Sequence, residues 1–530
     1  MSASREKKIR QELAAQGIPD IKEIRAAEAR QQQRRSNILY GSIAAIFVLV
    51  TAALLVWNSN IIQRTATAVS VDGTKYSAAE VNYYYNNVMN STLSSEYGSY
   101  MSANASLPMD QQEMTDMDLM FLGATLPEGV EKMTWHDYFM QVTKDVLVEQ
   151  TALVKAAKAD GFELDDEAKK ELTDTMDALN EYSKQAGVTV NAYLKTMFGS
   201  TMTESVFEDL LTRAVLTSRY QASKLGSYTY TDDEMQEYYT KNPNLFDVAD
   251  YEYVSFRGTA PSTTDADGKT VAATDAENAA AKAKAEAAAK DVLAKYQAGG
   301  DLEELAKEYK DIANYFHQEE ASYSGGTVQE WVFDAARKAG DSDVLSSGST
   351  YYVIVYHSRE RVEYHPVNVR HILCKINESG LDSKAEDYKE KRQVLLDAAK
   401  AKAEGLLDQF KAGTKTAEAF GELADKNSED TGSVGNGGLY TNVGKGEMVP
   451  AFDEWIYDES RQVGDTGIVF VDMAGYYTGY HVMYFDGVSE DPYWLLNART
   501  TKLNEDFSAW MEGLQEGLTA EEHSGMKYVG

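Results

Sequence analysis

The sequence predicts an α+β multidomain protein: a single amino-terminal transmembrane helix, a helical domain, and two successive α+β domains of one design. Three observations predict it. An uncharged run of twenty residues, 38–57, precedes long stretches in which apolar residues recur at helical spacing. A twelve-residue motif recurs at a constant offset of 124. Alternating runs rich in Tyr and Val open and close each copy of the repeat. At 530 residues the chain is also longer than the roughly 250–300 residues at which one core stops growing.

Residues 1–37 hold nine Lys/Arg against five Asp/Glu, whereas the whole chain carries a formal charge of −33. They read as a basic cytoplasmic tail. The run 38–57, ILYGSIAAIFVLVTAALLVW, is long enough as a helix to cross the roughly 30 Å hydrocarbon core. Tyr40 and Trp57 fall near its ends, and Arg34 and Arg35 precede it, which keeps the amino terminus inside and the remainder outside the cell membrane. A cleaved signal peptide is the competing reading, but the run exceeds the usual h-region of roughly 7–15 residues.

The acidic outer portion argues against nucleic acid, whose phosphates need a Lys/Arg surface. Cys374 is the lone cysteine, which excludes an intramolecular disulfide framework and a Cys-rich zinc site. No HExxH and no GxxxxGK[ST] spacing occurs, so metalloprotease and nucleotide-binding classes fall away, and no metal or cofactor is expected.

Residues 66–249 open with a strand–turn pattern, TAVSVDGTKYS, and then turn helical. Met140, Leu147 and Val154 stand seven apart with Val146 and Leu153 beside them, and similar faces recur over 172–179, 193–198 and 207–216. Pro243 and Asn244 end the last helix before the alternating run YEYVSF. The repeat follows. Glu330, Trp331, Asp334, Arg337, Gly340 and Asp341 in EWVFDAARKAGD return as Glu454, Trp455, Asp458, Arg461, Gly464 and Asp465 in EWIYDESRQVGD. The copies give two α+β domains, 250–363 and 366–488, each with an opening strand, a Lys/Ala-rich helix, a short second helix, the Glu-Trp helix and a closing strand. In 491–530, Trp494, Leu495, Leu503, Phe507, Trp510 and Leu514 make an apolar helical face. Its expected dock is the helical domain, which would then be discontinuous in sequence.

The second copy contains, in order, VRHILCK (369–375), FGELADKNSED (420–430), NGG (436–438), GKGEMVPAF (444–452) and TGYHVMYF (478–485). In that order these motifs resemble the parvulin family of peptidyl-prolyl cis/trans isomerases. The resemblance implies that His371 and His481 lie on adjacent strands beneath the substrate proline, with Asp430 and the hydroxyl of Thr478 as the further catalytic groups. It also implies that Met448 and Phe452 form the apolar pocket for the proline ring. After Gly-Gly the sequence departs from the Asp-Leu-Gly-aromatic run of many parvulins, Leu439, Tyr440 and Val443 giving an altered pocket wall. Lys375 either matches a basic position of some parvulins that prefer acidic residues before proline or is a solvated strand end. The helical domain is similar to that of the PrsA, SurA and PpiD kind of extracytoplasmic foldase. Unfolded or newly translocated polypeptides containing proline are the partners so implied, and a homodimer is left open.

The residue types suit the chemistry. Rotation about an X-Pro bond faces a barrier of roughly 18–20 kcal/mol from lost resonance, and no bond is broken. A catalyst need only bind the twisted amide better than the planar one. The other five histidines are read as satisfied core residues, and Cys374, out of phase with His371 on the strand, as a small buried hydrophobe on the opposite face. Aligned strand to strand, Ser255 falls at the His371 position of the first copy, Val353 at that of His481, and about Ile312 at that of Asp430. The first copy is therefore expected to lack isomerase activity. The rival reading of the whole chain is a non-catalytic holdase or scaffold, against which the retained His, Asp and His argue.

Overall fold

A computed structural model describes residues 65–95, 98–265, 268–473 and 476–529. The expected basic tail 1–37 and apolar run 38–57 lie outside the described residues, among which no helix is long and apolar enough to cross a membrane. The described chain forms two compact units, one of residues 230–502 and one that combines residues up to 229 with 503–529.

The second of these is mainly helical. β1 (Thr67–Val71) and β2 (Thr74–Ser77) form an antiparallel hairpin around Asp72 and Gly73. Both turn residues have positive φ, 44° and 77°, which suits the Asp-Gly pair of a two-residue hairpin. Ser77 and Glu80 then form a reciprocal cap at the start of α1 (Ala78–Leu93). Thr115 with Asp118 caps α2 (Asp116–Leu122), and Thr134 with Asp137 caps α3 (Trp135–Ala159), by the same device. α4 (Asp166–Gln185), α5 (Val190–Phe198) and α6 (Glu204–Ser227) follow. Trp135, Phe139 and Leu147 of α3 are fully buried among Tyr83, Leu194, Phe198 and Phe207.

The carboxy-terminal strand, β13 (Ala520–Glu522), pairs with β1, Val69 standing opposite Glu522. It covers the edge of β1 that the hairpin leaves open. Trp510 lies with its ring 5.8 Å from that of Tyr220 in a small cluster with Leu153 and Ala157, and Leu518, Met526 and Tyr528 pack on the core around Trp135 and Phe139.

The unit of residues 230–502 begins with α7 (Asp232–Lys241) and contains both repeat copies. The first copy comprises β3 (Asp247–Phe256), a small ribbon of β4 (Thr263–Thr264) and β5 (Thr270–Val271), α8 (Asp275–Gln297), α9 (Leu302–Lys307), β6 (Ala313–Ser322), α10 (Thr327–Val332), β7 (Ser342–Ser347) and β8 (Thr350–Arg361). The second comprises β9 (Val367–Lys375), α11 (Tyr388–Ala412), α12 (Ala417–Asn427), β10 (Leu439–Val443), α13 (Pro450–Ile456), β11 (Thr466–Met473) and β12 (Tyr477–Glu490). Their antiparallel sheets have matching orders, β6-β3-β8-β7 and β10-β9-β12-β11. One face of each sheet is closed by the long helix. In the first, Val254, Phe256, Val353 and Val355 meet Ala285, Ala288, Ala289 and Val292 of α8. In the second, Ile372, Cys374, Val482 and Tyr484 meet Ala403, Leu407 and Phe410 of α11 and Phe420 of α12.

The repeated motif is a fastening on the other face. Arg337 stacks over Trp331 and Arg461 over Trp455, each 4.2 Å from the ring centre. Asp341 accepts from the Lys338 N–H as Asp465 does from that of Gln462. Gly340 N–H donates to the Tyr356 carbonyl, and Tyr356 N–H to that of Asp341; Gly464, Phe485 and Asp465 repeat the pattern. Tyr356 is thus the counterpart of Phe485.

That equivalence corrects the strand alignment made from sequence. Four residues back along the closing strands, His481 corresponds to Tyr352, not Val353. Tyr356 pairs with Tyr251 and Phe485 with Val369, so His371 corresponds to Tyr253, not Ser255. Glu429 N–H donates to the Leu373 carbonyl, and Asn314 pairs with Ser255, the counterpart of Leu373. Asp430 therefore corresponds to Tyr315 rather than Ile312. Sequence alone misplaced these because the two copies join their strands with connections of different length.

Residues 230–249, assigned from sequence to the helical domain, pack in this unit. Met235 and Phe246 are buried against Trp494, Leu495 and Leu496 at the start of α14 (Tyr493–Gln515), and Arg361 lies 4.0 Å over the Trp494 ring. The tail 491–530 is likewise shared: its residues through Lys502 belong here, and those from Leu503 belong to the helical unit.

Candidate active site

The sheet of the second copy carries His371 on β9 and His481 on β12, with His371 opposite Met483 and His481 opposite Leu373. Both side chains point to the face closed by α13, away from α11. The rings stack at 5.0 Å with 15° between planes, and their Nδ1 atoms are 2.8 Å apart. Only 4% of His371 and 3% of His481 is exposed, so each ring nitrogen needs a protein partner. His371 Nε2 lies 2.9 Å from Asp430 Oδ2, and His481 Nε2 lies 3.0 Å from the Tyr477 hydroxyl. Phe452 of α13 stands edge-on to both, 5.6 Å from the His371 ring and 5.4 Å from that of His481.

The electrostatics order the protons. Burial raises the cost of an ionised Asp430, but hydrogen bonds from His371, Ser433 and Tyr440 outweigh it and hold the carboxyl well below the usual range. The hydroxyls donate to Oδ2 at 2.6 Å from Ser433 and 2.8 Å from Tyr440. Burial, then the neighbouring His371, pushes the His481 imidazole down to about 3, so at neutral pH it is uncharged. With Asp430 accepting and the His481 ring uncharged, the following order satisfies every group. Tyr477 donates to His481 Nε2, His481 Nδ1–H to His371 Nδ1, and His371 Nε2–H to Asp430. The tautomers follow from this network.

The loop that delivers Asp430 is clamped to β9. Ser428 Oγ accepts from the Leu373 N–H, and Glu429 N–H donates to the Leu373 carbonyl. Asp430 also shapes its own turn, Oδ1 accepting from the Gly432 N–H. The loop returns through Gly438, whose φ is 65° and whose carbonyl accepts from the His371 N–H. A Cβ at Gly438 would come within 2.3 Å of the His371 carbonyl oxygen, so the close approach beside the histidine requires glycine.

Of the residues expected from sequence, His371, Asp430, His481, Met448, Phe452 and Tyr440 come together here. Lys375 is at the exposed end of β9, its Nζ 5.8 Å from the Tyr477 ring centre. Thr478 does not join them. Alternation on β12 turns it to the α11 face, where its hydroxyl donates to Asp472 at 2.7 Å and accepts from Arg392 at 3.1 Å. Leu439 stands opposite Arg370 and so shares the face turned from the histidines. Sequence reasoning missed Tyr477 and Ser433. Tyr477 lies four residues before His481 and hence on its face of the strand, and Ser433 lies three after Asp430; both spacings were legible. The reading of the remaining histidines as core residues also needs correction. His365 is buried and bonded to the Ser489 carbonyl, but His136 and His357 are half-buried, and His317 and His523 are exposed.

Residues 352–483 match the family model described as the PPIC-type PPIASE domain. The second copy is a parvulin-type domain. The chain is 28% identical over 204 residues to the chaperone SurA of Alcanivorax borkumensis, which covers 37% of this chain and 42% of that protein. It spans, then, less than half the length of this curated relative. Among solved structures it is similar to the foldase PrsA of Streptococcus pneumoniae, at 19% identity and a TM-score of 0.16 over 58% of this chain and 96% of the other. It is also similar to a SurA-like chaperone structure from Campylobacter jejuni, at 10% identity and a TM-score of 0.16 over 66% of this chain and 96% of the other. The chain thus carries a parvulin-type domain and resembles the chaperone SurA over part of its length.

Proposed function

We propose that the parvulin domain, residues 366–488, catalyses cis/trans isomerisation of X-Pro bonds in unfolded or newly translocated polypeptides outside the cytoplasm. The observation that carries this reading is the continuous chain Tyr477–His481–His371–Asp430 beneath the ring of Phe452. Each member fixes the next, so the polar groups around the pocket are set before substrate arrives. Preorganised groups of this kind cost no reorganisation when the amide twists and loses its resonance. Phe452 and Met448 supply an apolar seat for the proline ring, and the exposed Lys375 meets the residue before proline, favouring acidic ones. Binding that improves as the amide twists lowers the barrier without a covalent step.

The first α+β domain, with Tyr253 and Tyr352 at the histidine positions, is a non-catalytic spacer or client-contacting module in this reading. The helical domain holds clients, and the run 38–57 anchors the chain with its bulk outside the membrane. The test is acceleration of X-Pro isomerisation in a short peptide by the purified chain, read beside suppression of client aggregation. Isomerisation with suppression supports the proposal. Suppression without isomerisation leaves a holdase.

A further inference from the structure

The first α+β domain carries a cluster of donors with no part in the reading above. Asp250 and Glu252 lie on β3, His317 on β6 and His357 on β8. His317 stands opposite Glu252 in register, and β8 bulges where Asp250 pairs with Ser358 and Tyr251 with Tyr356. The extra residue is His357 itself, which the bulge sets beside Glu252. His317 Nε2 is 2.8 Å from Asp250 Oδ1, and His357 Nε2 is 3.5 Å from Glu252 Oε1. The two imidazoles face edge to face at 5.8 Å, and one donor atom each from Asp250, His317 and His357 all lie within 4.8 Å of one another.

The same place in the parvulin domain is occupied differently. Arg370 is the counterpart of Glu252 and Asp486 that of His357, and the two form an ion pair at 2.9 Å, with Leu439 in the place of His317. One site in a shared sheet thus holds a self-neutralising pair in one copy and four metal-competent donors in the other. We propose that Asp250, Glu252, His317 and His357 bind one divalent transition-metal ion of the zinc class. Two imidazoles and two carboxylates are a donor set such ions accept, and metal–ligand distances of about 2.0–2.2 Å put tetrahedral donors about 3.4 Å apart. The spacings here bracket that value, and the partly exposed side chains of Asp250, His317 and His357 have room to close on the more buried Glu252. Glu252 is already oriented through Oε2, which accepts from the Tyr315 hydroxyl at 2.9 Å, as outer partners commonly orient metal ligands. A bound ion would tie three strands together at the bulge. Residues 250, 317 and 357 are too distant in sequence for any spacing motif to reveal this.

The experiment is calorimetric titration of the full chain, free of any affinity tag, with zinc, and with cobalt(II) for its visible spectrum. One equivalent bound, a tetrahedral cobalt spectrum and a zinc-dependent rise in melting temperature are expected. In the double variant His317→Ala/His357→Ala the affinity should fall about tenfold or more and the zinc-dependent rise should vanish, while His523→Ala should bind as the parent does. Melting of the metal-free double variant shows whether it folds; should it not, Asp250→Asn is read instead, with the same expected loss. Absence of stoichiometric binding, or undiminished binding in the folded variants, overturns the proposal.

Discussion

The two repeat copies share a sheet order, a long covering helix and an Arg-on-Trp fastening, yet differ in every residue on which the proposed chemistry depends. Where the parvulin domain stacks His371 on His481, the first copy places Tyr253 and Tyr352, with Tyr253 stacked on Phe316 at 4.9 Å. Where it carries residues 430–437 in a loop clamped to β9, the first copy has the single residue Tyr315 between the corresponding strand positions. Aromatic packing substitutes for a polar network, and the fold survives. The residues that build this fold and those that equip it are separate sets, so similarity in the first set says nothing about activity.

The largest expected effect separates the copies directly. Asp430→Ala removes the acceptor that orients His371, and X-Pro isomerisation by the full chain should fall about tenfold or more, the loss of roughly 1.4 kcal/mol of twisted-amide stabilisation. Suppression of aggregation should be unchanged. Both are read in one preparation, with folding checked by its thermal transition.

Acid should also tell the copies apart. Burial pushes His481 and His365 down to about 3. Unfolded imidazoles protonate below about 6.5, so between those values the unfolded state holds more protons and the parvulin domain loses stability as pH falls, by at most about 1.4 kcal/mol per pH unit for each group. Asp430, held low by its hydrogen bonds despite burial, adds a loss below about pH 4. In the first copy a hydrogen bond to Asp250 raises the His317 value, a stabilisation that is full below about 6.5 and fades as pH rises through the folded value. Hydrogen exchange on the whole chain freed of metal, corrected for intrinsic rates, should therefore show the parvulin domain loosening relative to the first domain between pH 7 and pH 5. Equal loosening of both would contradict this account.

Smaller effects test the assignment of the hydroxyl. Tyr477→Phe removes the donor to His481 Nε2, and a rate loss of about threefold is expected, less than one hydrogen bond's typical worth of about 1 kcal/mol. Thr478→Val, on the other face, should lower the melting temperature slightly and leave the rate alone. The reverse pattern would return Thr478 to the site. Smallest of all, Tyr253→His with Tyr352→His should confer no activity on the first domain, because the loop that would carry the aspartate is missing there.

Much of this was legible in the chain. Period-two alternation put His371 and Cys374 on opposite faces, and the repeat announced two domains of one design because Trp331 and Trp455 need their arginines, and Gly340 and Gly464 their turns, in both. The hydroxyl was lost by a single step of register: Thr478 and Tyr477 are neighbours, and one residue along a strand is the other side of a sheet. The first copy's counterparts were lost because a shortened loop shifts positions that only hydrogen bonds reveal. The division of 491–530 between units was also hidden, since Trp494 and Trp510 lie on one helix with nothing in their spacing to say that they serve different cores.

The central claim, that activity resides in the histidine network of one copy and not in the shared fold, is tested most directly by comparing His481→Ala with Tyr352→Ala in the full chain. These are equivalent positions in the two sheets. With both variants shown folded, X-Pro isomerisation should collapse in His481→Ala and remain at the parent rate in Tyr352→Ala. An unchanged rate in folded His481→Ala, or an equal loss in both, would contradict it.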